Sequence, residues 1–113
     1  MDDLPPGRKF DNDQIAYLEA NDVDGLIENH YDVNGSLIGF GLVVTGHGPL
    51  REQFRRYLSS LGGIKLKSTD QFVETPGAIF FQATITGNQG DIRVCDAFVL
   101  KGEKILYHFT GVQ

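Results

Sequence analysis

The sequence predicts an α+β domain, in which three N-terminal helices pack on a curved, mostly antiparallel sheet. Two observations support this prediction. Before Gly62-Gly63, apolar residues recur at steps of three and four in three segments, which is the period of a helix. After these glycines, apolar and polar residues alternate in four segments joined by short turns, as in an antiparallel meander. Helices followed by such strands are typical of α+β folds, with the helices on one side of the sheet.

The totals indicate one domain and limit its partners. A chain of 113 residues can build one hydrophobic core, so we expect an arm over residues 1–9 and a single domain over residues 10–113. A net charge of −5 disfavours nucleic acid and anionic membranes as partners, because both attract basic surfaces. The single cysteine, Cys95, excludes an internal disulfide, and no segment approaches the roughly 18 apolar residues of a membrane span. The protein is therefore predicted to be cytoplasmic.

Two short helices are predicted at the start of the domain. Asp11 can cap a first helix near residues 11–20. Asn21-Asp22 can cap a second helix, whose buried face would include His30. We expect this helix to end near Asn34-Gly35, because both residues tolerate the left-handed conformation that ends helices.

A third helix and a series of strands follow. A strand over residues 36–45 is predicted to be interrupted at Gly39 and Gly41, since glycines within strands mark bends and bulges. Pro49 suits the first turn of a helix, and the apolar spacing from there to Leu61 is the strongest helical pattern in the chain. The four meander strands are predicted over residues 64–75, 78–86, 91–100 and 104–110.

The last hairpin places a carboxylate among apolar side chains. In its first strand, Asp96 has the parity of four apolar residues, and side chains of one parity share a face of the sheet. These residues are Ile92, Val94, Phe98 and Leu100. A turn centred on Gly102 would add Ile105, Tyr107 and Phe109 to this face and put His108 on the opposite face. Because an ionised acid in apolar surroundings is costly unless it has partners, Asp96 is the first candidate for a functional residue.

The order of the elements and three short motifs resemble the nuclear-transport-factor-two-like superfamily, which includes SnoaL-like polyketide cyclases and ketosteroid isomerases. The motifs are Tyr17-Leu-Glu-Ala-Asn-Asp-Val-Asp-Gly-Leu between the first helices, Gly46-His-Gly-Pro-Leu-Arg-Glu-Gln-Phe54 at the third helix, and Val94-Cys-Asp-Ala-Phe98 running into Gly102-Glu-Lys-Ile105. The resemblance implies a cone-shaped pocket between the helices and the sheet. It also implies homodimerisation through the sheet.

The resemblance further implies a role for Asp96, which matches a protonated aspartic acid that ketosteroid isomerases use to donate to the developing enolate. An apolar site favours the neutral form of a carboxyl group, which agrees with this role. The other isomerase positions differ. Gln14 stands where the oxyanion tyrosine would be, with Tyr17 one turn later, and Ile38 or Gly39 stands where the catalytic base would be. Steroid isomerisation by that route is therefore not expected.

Two interpretations of Asp96 stay open. Asp96 is either a general acid or hydrogen-bond donor to a ligand, or a buried carboxyl that a tyrosine such as Tyr107 or Tyr17 satisfies. His30, at the end of the second helix, could act as a base, because its face should point into the cone and the helix dipole favours its charged form. More often, a histidine in such a position caps backbone carbonyls or fills the rim of the cone.

The other predicted pocket residues are mostly aromatic, as in pockets that bind apolar or aromatic ligands. They are Gln14, Tyr17, Phe40, Phe54, Tyr57, Phe81, Phe98 and Tyr107. The same aromatics could instead fill the cone as core. Three separated histidines and one cysteine do not have the spacing of a metal site, so we expect no metal and no cofactor.

Three classes of function are compatible with these features. The first is a domain that binds a small, largely apolar ligand anchored by Asp96. The second is an enzyme of the polyketide-cyclase or isomerase type, which moves a proton beside a carbonyl with Asp96 as acid and His30 or Tyr107 assisting. The third is an interaction scaffold without catalysis. It would present an apolar patch on the outer sheet face around Arg93, Cys95, Ala97, Val99 and Leu106.

Overall fold

The computed structural model describes residues 5–113, which form three helices and one six-stranded sheet. The helices are α1 (Pro6–Glu19), α2 (Val23–His30) and α3 (His47–Leu61). The strands are β1 (Tyr31–Gly39), β2 (Leu42–Thr45), β3 (Lys65–Thr75), β4 (Ala78–Gly87), β5 (Gly90–Lys101) and β6 (Lys104–Val112). The predicted α+β class is confirmed, and the meander strands lie close to their predicted bounds.

The sheet has the strand order β2-β1-β6-β5-β4-β3. Neighbouring strands are antiparallel except β1 and β6, which run parallel. The buried core lies between the helices and one face of the sheet, and we call this face the inner face. Among residues 5–113, no helix combines the length and the apolar character that crossing a membrane requires.

α1 begins earlier than predicted, at Pro6, so residues 6–9 are helical rather than part of an arm. Proline is favoured in the first turn of a helix, because it lacks an N–H that would have no partner there. The backbone N–H of Gly7 donates to Oε2 of Glu74 at 3.0 Å, which ties the start of the helix to β3. Residues 1–4 of the predicted arm lie outside the described residues.

α2 ends at His30 and β1 begins at the next residue, whereas the sequence predicted a helix up to Asn34-Gly35. The asparagine and glycine mark a different feature. The pairing of β1 with β6 shifts its register between Tyr31 and Ser36, so Asn34-Gly35 lies at a bulge of the strand. A Cβ atom added at Gly35 would lie 2.9 Å from a backbone oxygen of β6, so the close approach of the two strands requires glycine here.

The strand predicted over residues 36–45 is a hairpin. β1 and β2 are joined by a two-residue turn, Phe40-Gly41, in which both φ angles are positive, at 52° and 75°. Such turns match the twist of the strands that they connect. Glycine adopts this conformation readily, whereas Phe40 is held in a conformation that is rare for a bulky residue.

A bulge in β6 decides which of its side chains face the helices. Between two successive pairs, β5 advances one residue, from Leu100 to Val99, while β6 advances two, from Ile105 to Tyr107. One extra residue inverts the alternation of the side chains that follow it. The prediction that Tyr107 and Phe109 face inward is therefore wrong. Both lie on the outer face of the sheet and are 42% and 44% exposed.

Candidate functional site

A cavity of about 120 Å³ lies between the helices and the inner face of the sheet. Most of its wall is apolar and includes Leu18, Leu37, Phe54, Ile64, Phe81, Ala83, Ile85, Val94 and Phe98. The polar residues of the wall are Gln14, Gln53, Tyr57, Asp96, His108 and Thr110. Three exposed apolar residues, Phe40, Leu42 and Val112, rim its mouth. An apolar chamber with a few polar groups is typical of a small-molecule site.

Asp96 lies on the inner face of β5, in the interior of the sheet. The residue is 9% exposed. Its Oδ1 accepts a hydrogen bond from Nε2 of His108 at 2.8 Å, so Oδ2 can still accept another hydrogen bond. A hydrogen bond from an imidazole N–H to a carboxylate is charge-assisted and stronger than a neutral one. The partner of Asp96 is therefore a histidine, not one of the tyrosines that the sequence suggested.

His108 reaches Asp96 because of the bulge in β6. The sequence predicted His108 on the outer face together with Cys95, and that prediction is wrong. Beyond the bulge, His108 pairs with Phe98 on the inner face and is 6% exposed. The Phe98 ring meets the imidazole edge-on, with 4.7 Å between the ring centroids, and so helps to fix its orientation.

Tyr31, which the sequence analysis did not single out, holds the other side of the imidazole. Its hydroxyl lies 2.7 Å from Nδ1 of His108 and accepts a hydrogen bond from Nε2 of Gln14 at 3.0 Å. Tyr31 is fully buried. Burial raises the pKa of the Tyr31 phenol far above its usual range, so the hydroxyl keeps its proton and can donate it in a hydrogen bond.

His30 lies behind the cavity and not in its wall. Its Nδ1 lies 2.8 Å from Oε1 of Gln14, and its ring stacks on Phe10 with 4.0 Å between centroids. Burial lowers the pKa of His30, which opposes the dipole effect that we expected to favour its charged form. The prediction that His30 looks into the cone is wrong, because Gln14 lies between the imidazole and the cavity.

The structure brings seven of the ten predicted site residues to the cavity wall. They are Gln14, Phe40, Phe54, Tyr57, Phe81, Asp96 and Phe98. Phe40 lies at the mouth and is 60% exposed. The other three do not line the cavity: Tyr107 is on the outer face, His30 lies behind Gln14, and the hydroxyl of Tyr17 accepts a hydrogen bond from Asn29.

Tyr57, from α3, gives the cavity a hydrogen-bond donor. Burial, together with the nearby charge of Asp96, raises the pKa of the Tyr57 phenol to about 12. The hydroxyl is therefore protonated at neutral pH and can donate to a ligand oxygen. A proton acceptor and a proton donor thus face the same chamber.

A second acid, Asp11 on α1, is buried beside this site but does not line the cavity. It is 0% exposed, and neither of its carboxylate oxygens has a hydrogen-bond partner within residues 5–113. Burial raises the pKa of Asp11 to about 6, while Arg8 lowers it and the charge of Asp96 raises it further. The sequence analysis considered Asp11 only as a helix cap, because its position in the helix gives no sign of its burial.

The wall of the cavity contains a carboxylate, an imidazole and a phenol, which are groups that can exchange protons or form hydrogen bonds. Within residues 5–113, no three His, Cys, Asp or Glu side chains are grouped so that they could hold a metal ion.

Comparison with family models and with curated proteins finds no match to this chain. Solved structures match its fold closely. An NTF2-like protein from Anabaena variabilis superposes with a TM-score of 0.81 at 17% identity, over 96% of this chain and 87% of that one. A protein classed as a SnoaL-like polyketide cyclase, from Shewanella putrefaciens, gives a TM-score of 0.83 at 10% identity, over 97% and 81%.

A third match has a ketosteroid isomerase-like fold and comes from Catenulispora acidiphila. Its TM-score is 0.77 at 11% identity, over 90% of this chain and 83% of that one, and it was solved in complex with trimethylamine. All three superpose on this chain over at least 90% of its length. This chain therefore has the cone-shaped fold of the nuclear-transport-factor-two-like superfamily.

Proposed function

We propose that this protein binds a small, largely apolar ligand inside the cavity and contacts one polar group of that ligand through Asp96. The observation that carries the proposal is the Asp96–His108 pair in the wall of an otherwise apolar chamber. Burying a carboxylate and its imidazole partner costs free energy, and well-packed hydrocarbon in the same place would avoid that cost. A ligand that needs a proton acceptor would account for the presence of this pair in an apolar wall.

The size of the cavity limits the ligand to about one ring. An engineered apolar cavity of about 150 Å³ in another protein holds benzene, and the cavity here measures about 120 Å³. A fused-ring steroid needs several times this volume. We therefore propose a monocyclic ligand that carries either a hydroxyl group that donates to Asp96, or a carbonyl group whose oxygen accepts from Tyr57 and whose neighbouring C–H lies against Asp96. The trimethylamine complex of the Catenulispora protein supports small ligands for this fold.

Binding of monocyclic probes tests the proposal. We expect cyclohex-2-enone and phenol to shift the NMR resonances of wall residues such as Ala83 and Phe98, and 2-naphthol to leave them unchanged. Asp96→Asn should weaken phenol binding by at least about tenfold, because it removes a charged hydrogen-bond acceptor. Asp91→Asn is the matched control on the same strand, since Asp91 is exposed and bonds Lys67. Equal binding by the two variants would contradict the role of Asp96.

Proton transfer beside a carbonyl is the second candidate function, and the joint presence of Asp96 and Tyr57 in the wall favours it. In this reaction the carboxylate of Asp96 takes a proton from the carbon next to the carbonyl. The electrons of the broken C–H bond form an enolate, whose oxygen accepts a hydrogen bond from Tyr57. The proton then returns from Asp96 to carbon, so the protein ends in its starting state.

Hydrogen–deuterium exchange separates this enzyme from a simple binding protein. The protein should accelerate exchange of the α-protons of cyclohexanone in heavy water. Asp96→Asn should lower that rate by about 100-fold or more, whereas Asp91→Asn should leave it unchanged. Binding of cyclohex-2-enone without any acceleration of exchange would reject the enzyme and retain the ligand-binding function.

We also propose that the protein forms a homodimer through the outer face of its sheet. One apolar residue on each of the six strands forms a continuous row across this face: Val43, Ile38, Phe109, Ala97, Phe80 and Val73. Val43 and Val73 are 71% and 63% exposed. A contiguous apolar surface of this kind favours association. Cys95, on the same face, is a free thiol, which suits the reducing cytoplasm that we propose as its compartment.

Size-exclusion chromatography with light scattering tests the dimer. Phe109→Lys should convert the dimer to a monomer, because it places a charge in the centre of the apolar row. Phe40→Lys is the matched control, since it changes an exposed aromatic residue at the mouth of the cavity. A monomeric wild-type protein would exclude this interface.

A further inference from the structure

A chain of four hydrogen bonds runs from His30 to Asp96. In order, the bonds join His30 Nδ1 to Gln14 Oε1 at 2.8 Å, Gln14 Nε2 to the Tyr31 hydroxyl at 3.0 Å, that hydroxyl to His108 Nδ1 at 2.7 Å, and His108 Nε2 to Asp96 Oδ1 at 2.8 Å. All five residues are 9% exposed or less. Water therefore does not compete for these bonds, and each donor must be matched to an acceptor inside the protein.

The chemistry of the five side chains gives each bond a direction. Gln14 Oε1 can only accept, so His30 donates, and Gln14 Nε2 can only donate, so the Tyr31 oxygen accepts. The Tyr31 hydroxyl makes no hydrogen bond within residues 5–113 except those to Gln14 and His108, so its proton points to Nδ1 of His108. Nδ1 is then an acceptor, and the ring proton of His108 is on Nε2, facing Asp96.

We propose that Gln14 is a positioning residue, which fixes the ring proton of His108 on Nε2 by donating a hydrogen bond to Tyr31. The amide N–H engages the Tyr31 oxygen from one side and leaves Nδ1 as the acceptor for the hydroxyl proton. This inference rests on the proposed function, because the histidine that Gln14 orients is the partner of the acid that contacts the ligand. If the ring proton of His108 is fixed on Nε2, a proton that Asp96 takes from a ligand stays on Asp96. It does not pass to His108, because the imidazolium form would need Nδ1 as a donor, and Nδ1 accepts the Tyr31 proton.

His30 anchors the far end of the chain. Its stacking on Phe10 and its edge contact with Tyr17, at 5.3 Å between centroids, hold the ring so that Nδ1 faces Gln14. Burial lowers the pKa of His30, so its neutral form carries a single ring proton. With that proton on Nδ1, His30 donates a hydrogen bond to Oε1 of Gln14. This bond orients the amide so that its Nε2 points at Tyr31. His30 therefore acts on the site through Gln14 rather than as a base in the cavity.

Gln14→Glu tests the inference, because a carboxylate of nearly the same shape accepts hydrogen bonds and does not donate them. In this variant the Tyr31 hydroxyl turns to the new carboxylate, and its oxygen becomes an acceptor for His108. Nitrogen-15 NMR of the histidine rings at pH 7, without ligand, distinguishes protonated from bare nitrogens. We expect one protonated nitrogen, Nε2, for His108 in the wild type and two in Gln14→Glu.

Two further variants keep the test decisive. Gln53→Glu places the same charge in the cavity wall outside the hydrogen-bond chain and should leave the His108 signals as in the wild type. Tyr31→Phe removes the donor to Nδ1 without adding charge, so it should move the Nδ1 resonance toward that of a nitrogen without a hydrogen bond, while Nε2 keeps its proton because Asp96 still accepts it. It serves as the test if Gln14→Glu does not fold. A wild-type His108 with its proton on Nδ1, or identical His108 signals in all variants, would overturn the inference.

Because these spectra are recorded without ligand, they report on Gln14 whether or not a probe binds. Failure of phenol and cyclohex-2-enone to bind would contradict the proposed function alone. Failure of the ring signals to respond to Gln14→Glu would contradict the positioning role alone.

Discussion

Two regions of this protein each bury an aspartate, and only one of the two aspartates has a hydrogen-bond partner within residues 5–113. Between β5 and β6, Asp96 has His108 as a hydrogen-bond partner and faces a cavity. Where α1 packs near the sheet, Asp11 is 0% exposed, and neither of its oxygens has a partner within residues 5–113. The two are close enough for the charge of Asp96 to raise the pKa of Asp11. Burial is thus common to both acids, and the histidine is what distinguishes the site.

Removing the histidine should leave Asp96 without a hydrogen-bond partner within residues 5–113, as Asp11 is. We expect the largest loss in free energy of unfolding from this change. His108→Leu leaves Asp96 buried without its partner and Tyr31 without its acceptor. Leaving a buried charge without its partner costs about 3–5 kcal/mol. Urea denaturation at pH 7 should therefore show a loss of this size in the free energy of unfolding.

The neighbouring residue on β6 supplies the control. Tyr107 is half-exposed on the outer face, so Tyr107→Leu should change the free energy of unfolding of the separated monomer by less than about 0.5 kcal/mol. The double variant Asp96→Leu/His108→Leu should recover much of the stability, because it removes the unpaired charge. Equal losses for His108→Leu and Tyr107→Leu would show that the bulge does not separate the two faces as described.

Substitution of the aspartate in the second region should raise the free energy of unfolding instead of lowering it. Asp11→Asn replaces an acid that has no hydrogen-bond partner by a neutral side chain of the same shape. With the pKa of Asp11 raised to about 6, from about 4 in the unfolded chain, the variant should gain about 3 kcal/mol in free energy of unfolding at pH 8. Urea denaturation of wild type and variant at pH 8 measures this gain.

The pH dependence gives an independent check on Asp11. The folded state holds the Asp11 proton more tightly than the unfolded state, so this residue lowers stability as pH rises from about 4 to about 6 and adds a constant penalty above that. The advantage of Asp11→Asn should therefore grow across this interval and level off near pH 7. An advantage that is the same at pH 4 and pH 8 would exclude titration of Asp11 as its cause.

Much of the fold could be predicted from the sequence, because long alternating segments and glycine-containing turns leave few alternatives. Pro76-Gly77 and Gly102 punctuate the meander, and the strands on either side lie within about two residues of their predicted ends. Asp96 was found in the same way, since β5 alternates without interruption from Val94 to Phe98.

His108, which is the partner of Asp96, and Tyr31, which bonds His108, could not be predicted, because the positions of both depend on bulges. No glycine or proline marks the extra residue in β6, so parity alone put His108 on the wrong face. In β1, Asn34-Gly35 is compatible with either a helix end or a bulge. Because a helix end was predicted there, Tyr31 was assigned to the helix and not to a strand that faces the site. The alternation of Tyr31 and Val33 with polar residues was the available sign of a strand.

Glu74 gives the smallest expected effect and the sharpest form of the comparison. It lies in the same region as Asp11, but one of its oxygens, Oε2, has a partner, whereas Oε1 has none within residues 5–113. Its Oε2 accepts the backbone N–H of Gly7 in the first turn of α1, where the helix dipole favours a negative charge. Glu74→Gln keeps an acceptor for Gly7 but removes the charge, so it should lower the free energy of unfolding at pH 7 by about 0.5 kcal/mol. Asp11→Asn, in the same helix, should raise it. If urea denaturation showed both substitutions to be stabilising, their effects would come from the burial of charge near α1. The presence or absence of a hydrogen-bond partner would then not determine the sign of the change in free energy of unfolding.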